Sequence, residues 1–136
     1  PAESAASPDC APVTVRLPDV IGELPGRETN AQATGAWGDP VAVVLHCGVP
    51  VPPPTAELTC YTIDGVDWLV DPEDAPNFVF TTYGREPAVS VVVDSEVASG
   101  RTVIEAVSPA VSTLPVNGRA CISVEDAELL ESDDEG

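Results

Sequence analysis

The sequence predicts an α+β fold: an antiparallel sheet of four to six strands, one or two helices packed on one face, and two disulfides. Three observations lead there. The apolar positions are mostly valine and alanine, with two Trp, two Tyr and two Phe and no Met, and β-branched side chains suit a pleated, half-buried surface better than a helix. Two short connections, Asp64-Gly65 and "GREP" at 84–87, divide apolar runs too closely for anything but antiparallel neighbours. One stretch, 101–114, has helical apolar spacing instead.

In chain order, residues 1–12 are small, polar and punctuated by proline, a linker or N-terminal arm tied down at Cys10. Val13 to Leu17 alternates like a strand, and Pro18 can open a short helix ending near Leu24, ahead of Pro25-Gly26. Residues 26–36 read as a polar loop. "PVAVVLHC" is a central strand whose two sides are both largely apolar, so both are expected to be covered. Pro50, Pro52, Pro53 and Pro54 end its pairing.

"LTCYTIDGVDWLV" carries the clearest local signal. A type I′ turn at Asp64-Gly65 sets Ile63 opposite Val66, Tyr61 opposite Trp68 and Cys60 opposite Leu69. Tyr61, Ile63, Val66, Trp68 and Val70 then share one face, and Cys60 points the other way. "FVFTTY" and "AVSVVVD" form the next antiparallel pair. In "RTVIEAVSPAVSTL" Val103, Ile104, Val107, Val111 and Leu114 line one helix side, with Pro109 kinking the helix or opening a second segment. Val116 to Val124 suggests a last strand with an Asn117-Gly118 turn. The single globular domain is thus expected over 13–124, followed by an acidic disordered tail over 125–136, where seven of the chain's 23 carboxylates lie.

Charge and cysteine usage bound the function. The formal net charge is −18, and the five basic residues, Arg16, Arg27, Arg85, Arg101 and Arg119, include no lysine. Such a field repels phosphate backbones, so nucleic acid and anionic lipid are poor partners. Four cysteines, none spaced C-x-x-C, beside one histidine argue against zinc and for two disulfides, hence for an extracytoplasmic compartment. Three pairings are possible; Cys47 with Cys60, across the proline cluster, and Cys10 with Cys121, tying both ends to the body, are expected. No run reaches the roughly 18 apolar residues of a membrane span. The first residues carry no signal, so an export signal or membrane anchor is expected upstream.

No catalytic constellation stands out. His46 and Cys47 are adjacent on a strand and point to opposite faces, so they do not make a nucleophile and base; no G-x-S-x-G precedes a helix. Carboxylate pairs such as Asp64 with Asp67 or Asp94 with Glu96 arise from acidity alone, and "DGVDWLVDPED" lacks the ordered ligand positions of an EF-hand loop. Trp37 and Trp68 read as caps on a valine core, with a sugar-stacking platform as the sharper alternative. Trp37, Trp68, His46, Tyr83 and Arg85 are the candidate binding surface. No cofactor and no metal is expected.

"AWGDPVAVVLHCGVPVP", the following cysteine, "DGVDWL" and "FTTYGREPAVSVVV" together resemble an uncharacterised family of exported actinobacterial proteins, domain of unknown function 3515. The likeness covers about residues 36–93, more weakly Cys10 and the "LP" ahead of Arg27. It implies an upstream membrane segment or lipoprotein-like signal and supplies no reaction. His46 stands where arginine is usual in the family, so no guanidinium role carries over to that position. The expected function is a non-catalytic envelope protein that binds another envelope protein or a wall component at the outer face of the cytoplasmic membrane. The alternatives are an enzyme pairing His46 with Asp39 or Asp67, and an acidic Ca²⁺-binding module.

Overall fold

The computed structural model describes residues 3–29, 31–52 and 58–121. Its elements are α1 (Cys10–Val15), β1 (Val20–Ile21), β2 (Leu24–Arg27), β3 (Thr34–Trp37), β4 (Val43–Val49), β5 (Thr59–Ile63), β6 (Val66–Asp71), β7 (Asn77–Tyr83), β8 (Ala88–Asp94) and α2 (Gly100–Val111). All eight strands join one antiparallel sheet in the order β1-β2-β3-β4-β8-β7-β6-β5. The chain therefore lays down two four-stranded meanders and zips them together where β4 meets β8.

Eight strands exceed the four to six expected, and the extra ones come from the N-terminal third. There the expected 18–24 helix is instead the β1–β2 hairpin, turning at Gly22, whose φ is +59°. The expected 26–36 loop contains β2's end and β3, which pairs Gly35 with Leu45 and Trp37 with Val43. The expected strand over 13–17 is replaced by α1. Helical spacing buries Cys10 and Val13 together and leaves Val15 81% exposed, whereas a strand would have put Val13 and Val15 on one side.

The β5–β8 half follows its sequence closely. Ile63 faces Val66, Tyr61 faces Trp68 and Cys60 faces Leu69. Asp64 and Gly65 both take positive φ, +50° and +82°, as a type I′ turn requires. β7 and β8 pair Phe80 with Val91 and Phe78 with Val93.

The sheet curls around α2. This helix packs on β8 at the sheet's centre and also touches both edge strands, β1 and β5, and α1. Its inner side carries Val103, Ile104, Val107 and Val111, with Leu114 just beyond, all buried against Val43, Leu45, Val89, Val91 and Val93. Ser99 caps its start by accepting the Thr102 N–H. Pro109 lies inside the helix, which ends at Ser112.

β4 is buried on one side only. Val43, Leu45 and Cys47 face the helices, whereas Val44 and His46 sit half-buried on the convex side, so the expectation of two covered faces is corrected. The residues after α2 form no further strand among those described; Val116 makes one bridge to Arg85 and the Asn117 N–H reaches the Gly84 carbonyl. The expected tail, 125–136, lies outside the described residues.

The disulfides are Cys10–Cys47 and Cys60–Cys121, correcting the expected pairing. Strand alternation and strand order explain why. Cys47 points into the core from β4, Cys60 points to the convex side from β5, and three strands lie between them. The first bond holds α1 against the concave face. The N-terminal segment is accordingly part of the domain, with Ala5 buried and the Ser4 N–H donating to the Gly48 carbonyl at 2.7 Å. Gly48 permits that approach: its φ is +96°, and a β-carbon there would collide with the Ser4 carbonyl group.

Candidate functional site

The residues singled out from sequence do not converge. His46 stands on the convex face with Thr34 on one side and Ser90 on the other in the ladder, while its neighbour Cys47 is locked in the opposite face by Cys10. Asp39 belongs to Arg27, whose Nη1 donates to Oδ1 at 3.1 Å. Asp67 lies on β6, three strands from β4 and roughly 14 Å across at about 4.8 Å per strand. Both of its carboxylate oxygens are engaged: Oδ1 accepts from the Thr62 hydroxyl and Oδ2 from the Cys121 N–H at 2.7 Å. That carboxylate organises the second disulfide, and the structure does not bring it, or Asp39, to His46.

Trp37 and Trp68 are core residues, 2% and 0% exposed, so neither offers a face for stacking a sugar. The Trp37 indole N–H donates to the Pro18 carbonyl at 2.9 Å. Trp68 Nε1 finds no acceptor among the described residues. Tyr83 is half-buried on the convex side opposite Asp67. Arg85 works internally: Nη1 donates to the carbonyls of Ser112 and Leu114, and Nη2 to that of Gly65, so one side chain ties the β5–β6 turn to the end of α2. Among the described residues no group of three or more His, Cys, Asp or Glu side chains is placed to hold a metal ion.

The concave face offers a different site. α2 starts at Gly100, directly against the Phe80 ring, where an added β-carbon would lie 2.6 Å from Cζ. Beyond that point the sheet runs on with no helix over it. The result is an open, mainly apolar groove of about 310 Å³, floored by Ile63, Val70, Phe78, Phe80 and Val93 and edged by Tyr61, Ser95 and Arg101. Tyr61 is 53% exposed. Its size is at the low end for a ligand pocket and suits a side chain or small apolar group.

Among the described residues no carboxylate lines this groove; the strand ends beyond it carry two acidic loops, with Asp71 and Asp94 following the inward-facing Val70 and Val93 and so directed to the convex side. Asp71 ends β6 and Asp94 ends β8; each uses Oδ1 to accept a backbone N–H two residues on, from Glu73 and Glu96. The two loops are joined by the Ser95 N–H donating to the Pro76 carbonyl at 2.9 Å. Asp71, Glu73, Asp74, Asp94 and Glu96 thus gather at one end of the sheet. Sequence reasoning missed the groove, because which inward-facing positions stay uncovered depends on where α2 begins and how far the sheet coils. The partial signal was Tyr61, an aromatic on an edge strand of an inward-facing row.

Among the described residues no helix is long and apolar enough to cross a membrane. The family described as "Protein of unknown function (DUF3515)" matches residues 1–117, and the chain belongs to it. No curated protein and no solved structure matches the chain.

Proposed function

We propose that this member of the family is a non-catalytic binding module that works outside the cytoplasm and engages another envelope protein or a wall component through the uncovered end of its concave sheet face. The observation that carries the reading is the groove beside Phe78 and Phe80: apolar, open to solvent, and built on paired strands. An extracytoplasmic setting is supported by the pairing of all four cysteines in disulfides, which persist in oxidising compartments. A binding role is supported further by the separation of His46 from Asp39 and Asp67.

The test is photo-crosslinking in the cell that makes the protein, with a photoreactive residue at Tyr61 or Phe78 and, for comparison, at the exposed Val15. A discrete adduct from the groove positions and none from position 15 is expected. Equal labelling from all three positions, or none from any, overturns the reading.

A further inference from the structure

The sheet ends on two unlike edges. β1, at one end, is two residues long, and so short a strand gives a neighbour little to pair with. β5, at the other end, runs through Thr59, Cys60, Tyr61, Thr62 and Ile63 in continuous register with β6, with no bulge, proline or charged side chain. Those are the devices that ordinarily blunt an edge, and β5 carries none of them. The turn at Asp64-Gly65 fixes which of its main-chain groups face outward. Ile63 and Val66 flank that two-residue turn and exchange hydrogen bonds, so Ile63, Tyr61 and Thr59 turn their N–H and C=O groups to β6, whereas Cys60 and Thr62 turn theirs to the open side. Among the described residues no main-chain hydrogen bond from another segment reaches them. Cys121 does not fill the place: its disulfide partner Cys60 and the acceptor of its N–H, Asp67, both project from the convex face, so it lies over β5 and β6 and not alongside β5. The same open edge is one wall of the groove, through the exposed Tyr61.

We propose that β5 takes up an extended segment of a partner protein as a further antiparallel strand, held by the N–H and C=O groups of Cys60 and Thr62. The proposal rests on the binding reading above and narrows its partner to a polypeptide. Outward ladder groups repeat at a spacing that another extended main chain matches and that a sugar or an apolar small molecule does not, and this selects the occupant. Alternation dictates the rest. The partner residue opposite Tyr61 stands in a non-hydrogen-bonded pair, the kind with the closer side chains, and points to the concave side. An aromatic or aliphatic group there packs on the Tyr61 ring at the mouth of the groove. Its two neighbours lie opposite Cys60 and Thr62, point to the convex side and make the main-chain bonds. Those bonds supply affinity, and the inward side chain supplies selectivity.

The experiment titrates the whole disulfide-bonded protein with a short labelled peptide of alternating Thr and Val, one central Val replaced by Phe, followed by anisotropy and by amide hydrogen exchange. Binding is expected, with the Cys60 and Thr62 amides exchanging fast in the protein alone and slowly in the complex. N-methylation of the two residues flanking the Phe removes the donors that face β5, and is expected to weaken binding about tenfold or more. N-methylation of the Phe itself, whose N–H faces away, should leave binding unchanged. On the protein, Thr62→Pro removes an outward donor without touching the β5–β6 ladder, so binding is expected to fall about tenfold while the urea midpoint stays near that of the parent. No binding, equal losses in both methylation frames, or protection confined to other amides overturns the proposal. So does protection of Cys60 and Thr62 in the protein alone, which would give the edge to another segment of this chain or to a second copy. The cellular crosslink separates this failure from that of the wider reading. A discrete groove adduct together with any of these outcomes sinks the added strand alone, whereas absence of any groove adduct sinks both.

Discussion

Arg85 donates from Nη1 to the carbonyl oxygen of Ser112, the C-cap of α2, at 2.9 Å. With Leu114 at 2.7 Å and Gly65 at 3.4 Å, one guanidinium serves three carbonyls that would otherwise end a helix and a hairpin unpaired. Arg85→Ala is expected to lower unfolding free energy by about 1–3 kcal/mol in urea titration. Arg85→Lys should restore only part of it, since an ammonium cannot copy the planar fork.

Non-reducing digestion after Arg and Glu residues cuts between Cys47 and Cys60 at Glu57. Mass analysis should then find one peptide pair joining Cys10 to Cys47 and another joining Cys60 to Cys121. The loops closed span 37 and 61 residues, so replacing either pair by alanine should cost about 4 kcal/mol on the chain-entropy account. A peptide joining Cys47 to Cys60 would contradict the structure.

The two tryptophans allow a controlled comparison. Both are buried, and conversion to Phe removes similar volume from each site, but Trp37 loses a hydrogen bond to Pro18 and Trp68 loses none among the described residues. Trp37→Phe is expected to be the more destabilising by about 1–2 kcal/mol in thermal or urea unfolding.

Gly48→Ala sets a side chain against the Ser4 carbonyl at a φ of +96°. Destabilisation of about 1–3 kcal/mol is expected. The sharper readout is hydrogen exchange at the Ser4 amide, whose protection by the Gly48 carbonyl should be lost first.

How much of this could be read from residues alone differs between the two halves of the sheet. From Cys60 to Asp94 turn chemistry and strict alternation act together, so Asp64-Gly65 alone sets a register that the structure reproduces pair by pair. From Val13 to Trp37 the strands are two to four residues long and carry Pro25, Gly26 and Gly35, so tertiary pairing with β4 decides what local propensity does not. The same alternation that placed Cys60 away from Tyr61 also separates it from Cys47. Loop length favours Cys47 with Cys60, but side-chain direction and strand order outweigh it. The groove was out of reach for another reason: it is a gap defined by where a helix stops relative to strands distant in sequence.

The two disulfides have a mechanical consequence. A pull applied upstream of Cys10 and downstream of Cys121 passes through Cys10–Cys47, along the backbone to residue 60, and out through Cys60–Cys121. Thirteen peptide units bear the load in place of the 111 between the outer cysteines, counted as 60 less 47 and 121 less 10. While both bonds hold, the molecule can lengthen to about 45 Å between those points at roughly 3.4 Å per residue, and α2 and β6 to β8 stay off the line of tension.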